Sequence, residues 1–186
     1  MTKTIKAIST PTIKTKVLAT ILATASAVVL PQLFHVVGEI SGLGTALGET
    51  FLPMHLPVLM LGLLMGKYCG AVAGFAAPVI SFVLTGMPKV GLLPFMAIEL
   101  CAYGFVMGAL KDKKLPTSGK VLLSQFAGRL LRAVAIALAV YAFDYTSLNI
   151  SIIWTSVVSG LPGLILQWIL IPLISFYVET KAKNEC

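Results

Sequence analysis

Charged residues are scarce in this chain of 186 residues, and acidic residues are the scarcer kind. Lys, Arg, Asp and Glu together make up 11% of the sequence, whereas they make up about 25% of a typical soluble domain. Hydrophobic residues make up 58%, and the mean hydropathy is +0.95. Because a soluble protein needs enough polar surface to cover its core, this composition excludes an ordinary cytosolic enzyme and a disordered tail.

Cysteine is sparse, and the sequence motifs of nucleotide and metal chemistry are absent. The three cysteines, Cys69, Cys101 and Cys186, have no spacing typical of a metal site, and none is expected where an extracellular disulfide could form. The chain has no phosphate-binding loop, no HExxH motif and no Gly-x-Ser-x-Gly motif. We therefore expect no enzyme activity, no cofactor and no metal. Movement of a solute against its gradient would need an ATPase partner or an ion gradient.

Long apolar runs, in contrast, occupy most of the chain. Six are separated by short polar breaks, at about 17–37, 52–65, 68–84, 91–110, 121–143 and 152–178. A membrane-spanning helix needs about 20 mostly apolar residues, and four of the runs meet this length easily. The Gly-rich stretch 42–50 is interpreted as a loop. The sequence predicts an all-α integral membrane protein, a single domain of six transmembrane helices over residues 1–186.

The positive charges are distributed unevenly, and their distribution predicts the topology. The formal net charge is +7, and 11 of the 14 basic residues lie before the first run or after the second, fourth and sixth. The loops on the opposite side contain a single basic residue, Lys89. Basic residues accumulate in cytoplasmic loops. We therefore expect both termini on the cytoplasmic side of the cell membrane, in contact with the lipid bilayer and not with nucleic acid.

Three charged residues lie inside the apolar runs, where such groups usually line a cavity or pair with one another. Glu99 lies in the fourth run and Arg132 in the fifth, at depths that an arginine side chain can bridge. The pair is interpreted either as the charged wall of a ligand pocket or as a structural ion pair. Arg129 shares a helix face with Arg132 and either contacts a ligand or caps helix carbonyls.

Other polar residues also stand out against the apolar background. Met54 and His55 lie between two prolines four residues apart, a spacing that interrupts helical hydrogen bonding. They face a cavity in such irregular backbone, or else they belong to a simple proline-initiated helix start. In the last run, Gln167 is a candidate ligand contact, and Trp168 either stacks on a planar ring or packs.

Small residues recur at a spacing of four in two of the runs. Ala19, Ala23 and Ala27 form a flat stripe on the first predicted helix, which lets the backbone of another helix approach closely. That other helix belongs either to a partner protein or to the same chain. Gly104 and Gly108 repeat the pattern in the fourth run, where internal packing is the favoured interpretation.

Several short blocks, taken in order, resemble the membrane-embedded substrate-binding S component of energy-coupling factor (ECF) vitamin transporters. The blocks are 51–58, 84–88, 99–104, 127–129 and 160–167, together with the alanine stripe. The resemblance implies a subunit that captures a vitamin or a vitamin precursor from outside. It also implies docking through Ala19, Ala23 and Ala27 onto a T component, the transmembrane coupling protein, which works with two ATPase subunits.

The resemblance also implies a ligand site near the outer face of the membrane. Carried onto this chain, it places six residues near the ligand: Met54, His55, Glu99, Tyr103, Arg132 and Gln167. Pyridoxine, hydroxymethylpyrimidine and pantothenate remain open as substrates, and pantothenate would need a cation that Glu99 leaves unpaired. The main alternative function is a stand-alone secondary transporter or channel, although no internal inverted repeat is visible.

Overall fold

The computed structural model describes residues 11–143 and 149–184, and every regular element within these ranges is an α-helix. The helices, in chain order, are α1 (Ile13–Ile40), α2 (Ala46–Phe51), α3 (His55–Met65), α4 (Lys67–Thr85), α5 (Leu93–Ala109), α6 (Thr117–Ala142) and α7 (Ile152–Asn184). Residues 1–10, 144–148 and 185–186 lie outside the described residues.

Five segments in the described ranges are long and apolar enough to cross a membrane. They are Ile13–Ile40, Ala46–Met65, Lys67–Thr85, Thr117–Ala142 and Ile152–Val178. Helix α5 is equally apolar in character but is shorter, with 17 residues. The chain is therefore a multi-pass membrane protein, and the count of six spans stays a prediction.

The second predicted helix differs from the structure at its start. The interpretation of 42–50 as a loop is wrong for its second half, because α2 begins at Ala46 and continues to Phe51. Leu52 then adopts a left-handed conformation, with φ 48° and ψ 50°, and precedes a proline that has no N–H to donate. Helix α3 consequently begins only at His55. Packing against α7 stabilises α2, and this contact is not visible in local sequence.

The centre of the molecule is formed by α3 and α5, and glycines bring α5 very close to α4. Added Cβ atoms on Gly70 or Gly104 would overlap the backbone of the opposite helix, and one on Gly108 would overlap the backbone at Lys67. The prediction that Gly104 and Gly108 pack internally is confirmed. This close approach of backbones is a common way to gain van der Waals contact between helices in a membrane.

The alanine stripe of α1 is divided between the core and a more accessible position. Ala27 is completely buried, and α1 packs against α3 and α4. Ala19 and Ala23 are partly exposed. The end of the stripe at Ala27 thus serves internal packing, while the end at Ala19 retains surface.

Two lysine side chains link the ends of α3, α5 and α6 that lie opposite the α2–α3 turn, which comprises residues 52–54. The Nζ atom of Lys111 donates a hydrogen bond to the Leu64 carbonyl oxygen at 2.6 Å. The Nζ atom of Lys120, which is buried, donates to the Lys111 carbonyl oxygen at 2.5 Å. These bonds satisfy one carbonyl in the last turn of α3 and one just after α5, and they link the ends of α3, α5 and α6.

Candidate functional site

A buried polar cluster lies between α5 and α6, with the carboxylate of Glu99 at its centre. Glu99 is 0% exposed. The Arg132 Nη1 atom donates a hydrogen bond to Glu99 Oε2 at 2.7 Å, and the Tyr103 hydroxyl donates to Oε1 at 2.9 Å. The Arg129 Nε atom lies 3.1 Å from the same Oε1 and forms an ion pair there. Both carboxylate oxygens are therefore engaged by side chains of the protein.

Helical spacing explains why these four side chains meet. Glu99 and Tyr103 are four residues apart on α5, and Arg129 and Arg132 are three apart on α6, so each pair shares a helix face. Gly128 lies where the two faces touch, and a Cβ atom there would overlap the ring of Tyr103. The absence of a side chain at Gly128 is what allows Tyr103 to lie between the helices.

The cluster contains two guanidinium groups and only one carboxylate. No second carboxylate among the described residues forms a salt bridge with Arg129 or Arg132. Arg129 gains one further acceptor, because its Nη1 atom donates to the Ser156 carbonyl oxygen of α7 at 3.1 Å. The cluster thus carries a formal charge of +1 when both arginines and the carboxylate are ionised.

His55 belongs to the same region through its contact with Tyr103. The centroids of the two rings are 5.1 Å apart, and His55 is 2% exposed. Neither ring nitrogen has a hydrogen-bond partner among the described residues. Met54, the preceding residue, is buried in the hydrophobic core that also contains Tyr103.

A second polar group, made of amide side chains, connects α6 and α7 to the α2–α3 turn. The Gln125 Nε2 atom donates to Gln167 Oε1 at 3.0 Å, and Gln167 Nε2 donates to the Leu52 carbonyl oxygen at 3.3 Å. The indole N–H of Trp168 donates to Gln125 Oε1. Gln167 therefore uses both ends of its amide within the protein and holds the turn against α7.

A small cavity adjoins the arginines between α6 and α7. It is lined in part by Arg129, Arg132, Ile153 and Ser156, and its volume is about 10 Å³. One water molecule needs about this much space. A larger concavity of about 330 Å³ follows the start of α1, but it is open and lined by that helix alone, so it encloses no site.

The structure brings most of the sequence-predicted residues together. Glu99, Tyr103 and Arg132 are in direct contact, and His55 joins them through Tyr103. Gln167 lies in the neighbouring amide group, and Met54 lies in the core. The ion pair between Glu99 and Arg132, one of two interpretations of these residues, is present.

Two contributors were missing from the predicted ligand set. Arg129 contacts Glu99 directly, and Gln125 binds Gln167. The sequence contains a pattern that indicates both residues. Gln125, Arg129 and Arg132 are spaced by four and then three residues, which places them on one face of an otherwise apolar helix. No group of three or more His, Cys, Asp or Glu side chains that could hold a metal occurs within residues 11–143 and 149–184.

The comparisons with known proteins gave one family. A family model described as "ECF transporter, substrate-specific component" matches residues 12–175, which is most of the chain. No curated protein and no solved structure matches the chain. The matched range includes all seven helix starts and every residue of the two polar groups.

Proposed function

Because the chain belongs to the ECF transporter substrate-specific components, we propose that it binds a vitamin or a vitamin precursor from outside the cell and delivers it inward. Its partners are a T-component coupling protein and two ATPase subunits, which supply the energy. Members of this family are substrate-binding subunits and not enzymes. The resemblance carried by the sequence blocks is thus confirmed at the level of the family, and the vitamin substrate is our proposal.

One observation carries the proposal, namely the buried ionic cluster in an otherwise apolar helical protein. Removing charged groups from water is strongly unfavourable, and charged side chains inside membrane proteins are rare and usually functional. Here Glu99 is completely buried, and the side chains of Arg129 and Arg132 are 13% and 15% exposed. A binding site for a polar solute explains why this protein contains a buried ionic cluster.

The proposed ligand site comprises Met54, His55, Glu99, Tyr103, Arg132 and Gln167, with Arg129 added from the geometry. Their roles differ. Arg129 and Arg132 border the cavity and have unpaired N–H groups for a solute. Glu99 and Tyr103 hold the arginines in place, while Gln167 holds the α2–α3 turn.

Helix α1 is the proposed docking surface for the T component. Ala19 and Ala23 are partly exposed, and their small side chains form a flat surface that a helix of the partner can approach closely. Ala27 is buried and packs α1 against α3 and α4. We further propose that α5 is the sixth span and that residues 1–186 form one domain of the cell membrane. In this topology both termini are cytoplasmic, on the same side as Lys111 and Lys120.

Reconstitution tests the proposed function directly. The chain would be purified alone and together with a T component and two ATPases, and the small molecules that remain bound would be identified by mass spectrometry. In proteoliposomes we expect uptake of the retained solute only with the complete complex and ATP. A complex with inactivated ATPases is the control. Uptake by the chain alone would instead establish a stand-alone transporter or channel.

A further inference from the structure

The charge of the buried cluster is not balanced by the protein. Arg129 and Arg132 both form ion pairs with Glu99. The single negative charge of this carboxylate compensates only one of the two guanidinium charges. An uncompensated charge held away from water is strongly unfavourable. A cationic solute would be repelled by this site, and a neutral solute would leave the excess charge as it is. A solute with one negative charge would neutralise it.

The unused N–H groups lie on the same two arginines. Arg129 Nη2 and Arg132 Nε are buried and have no hydrogen-bond acceptor. Guanidinium groups present N–H donors in a planar fork that matches the two oxygens of a carboxylate. The two arginines are three residues apart on one helix face and already reach one carboxylate, that of Glu99, so they are close enough to serve a single bound anion.

The cavity beside these donors determines where the anion enters. Its volume of about 10 Å³ accommodates a water-sized group, and Ala133, Ile136 and Val157 give it apolar walls. Across it, Arg129 Nη1 donates to the Ser156 carbonyl oxygen of α7. A carboxylate that replaced this carbonyl as the acceptor would part α6 from α7 and enlarge the cavity for the apolar body of the solute.

From these observations we infer that the solute of this protein carries a carboxylate, which binds between Arg129 and Arg132 at the α6–α7 cavity. The inference rests on the proposed function and specifies the substrate class of the same site. Glu99 does not touch the solute in this arrangement, because its oxygens are already occupied by Tyr103 and the two arginines. It is a positioning residue that orients both guanidinium groups.

Matched pairs of compounds test the inference on the full chain in lipid nanodiscs. Each pair joins a carboxylate to a neutral analogue of nearly the same shape: pantothenate with panthenol, nicotinate with nicotinamide, and biotin with biotinamide. Thermal unfolding and calorimetric titration would measure binding. We expect binding by a carboxylate and at least tenfold weaker binding by its neutral analogue. Equal or tighter binding by the neutral compound overturns the inference, and so does a panel in which no carboxylate binds.

Variants of the two arginines provide the second arm. Arg129→Gln and Arg132→Gln should each weaken carboxylate binding about 10- to 100-fold, the range expected for loss of a charge-assisted hydrogen bond. Lys89→Gln, which removes an exposed positive charge near the start of α5, is the matched control and should bind as the parent does. If a glutamine variant does not fold, Arg132→Lys keeps the charge without the planar fork and should bind more weakly. Unchanged binding in the arginine variants overturns the inference.

The outcomes separate this inference from the proposed function. A neutral solute that is bound tightly and imported by the complete complex would overturn the carboxylate site but leave the proposed function intact. A chain that retains no solute and supports no uptake with its partners would overturn both.

Discussion

Arg132 on α6 donates a 2.7 Å hydrogen bond to Glu99 on α5, and this charged contact joins two helices within the buried interior. The low dielectric around it strengthens the attraction and also raises the penalty for leaving either partner alone. Glu99 is therefore tied to α6 more firmly than an exposed carboxylate would be, and its loss should affect the fold as well as the site.

Replacing Glu99 by Gln should lower the free energy of unfolding by about 3–5 kcal/mol, because two buried arginines would lose their carboxylate. Unfolding in mixed micelles measures the change, and Glu39→Gln, at an exposed position on α1, is the control. A double-mutant cycle with Arg132→Gln should give a coupling above about 1 kcal/mol. Additive effects would contradict a direct role of the ion pair.

Gly128→Ala should destabilise the protein by about 1–3 kcal/mol, since the new methyl group would overlap the ring of Tyr103 and the helices would have to separate. Gly119→Ala on the same helix is a matched control, because its Cβ would meet Pro116 at an ordinary 3.5 Å. Thermal unfolding of both variants tests this prediction, with the control unchanged or slightly stabilised. Equal stability of the two variants would show that Tyr103 can move at little cost.

Gln167→Leu should loosen the α2–α3 turn, because the Leu52 carbonyl would lose its side-chain donor and Gln125 its acceptor. Hydrogen–deuterium exchange would measure this as faster exchange of the Leu52 and His55 amides, which donate to the Gly48 and Leu52 carbonyl oxygens, with α4 unaffected. Gln32→Leu removes an exposed hydrogen bond to Thr85 and should leave the turn as it is. Unchanged hydrogen exchange of the turn amides in Gln167→Leu would contradict the anchoring role of Gln167.

Ala23→Leu should abolish uptake by the complete complex while ligand binding is retained, since the added side chain would hold the partner helix away from α1. Ala25→Leu, at an exposed position on another face of α1, is the control and should transport normally. Ala27→Leu should instead reduce stability by about 1–3 kcal/mol, because Ala27 is 0% exposed. Normal uptake by Ala23→Leu would mean that docking uses another surface.

Lys89→Cys and Lys113→Cys, each in a chain whose own cysteines are replaced by serine, test the proposed orientation. A maleimide that cannot cross membranes should label position 89 in intact cells and position 113 only after the membrane is opened. The expectation follows from the clustering of basic residues on the cytoplasmic side. The reverse labelling pattern would invert the proposed topology.

Much of the candidate site was predictable from single residues, but its connections were not. Glu99 and Arg132 stood out because charges are rare in apolar helices, and helical spacing placed Arg129 beside Arg132. The role of Gly128 depends on a ring from another helix, and the partner of Gln167 is a backbone carbonyl 115 residues away. No local pattern specifies such contacts, since they require the relative positions of three helices.

The amino-acid pattern alone predicts a helical membrane protein, because hydropathy and the length of apolar runs act locally and additively along the chain. It also determined which few residues had to be explained, since a charge in an apolar run is costly wherever the run is placed. That one carboxylate serves both Arg129 and Arg132, and that Ala27 faces the core, follows from the packing of the helices and not from any local pattern. Charge balance and burial are properties of a neighbourhood, and packing assembles that neighbourhood from distant segments.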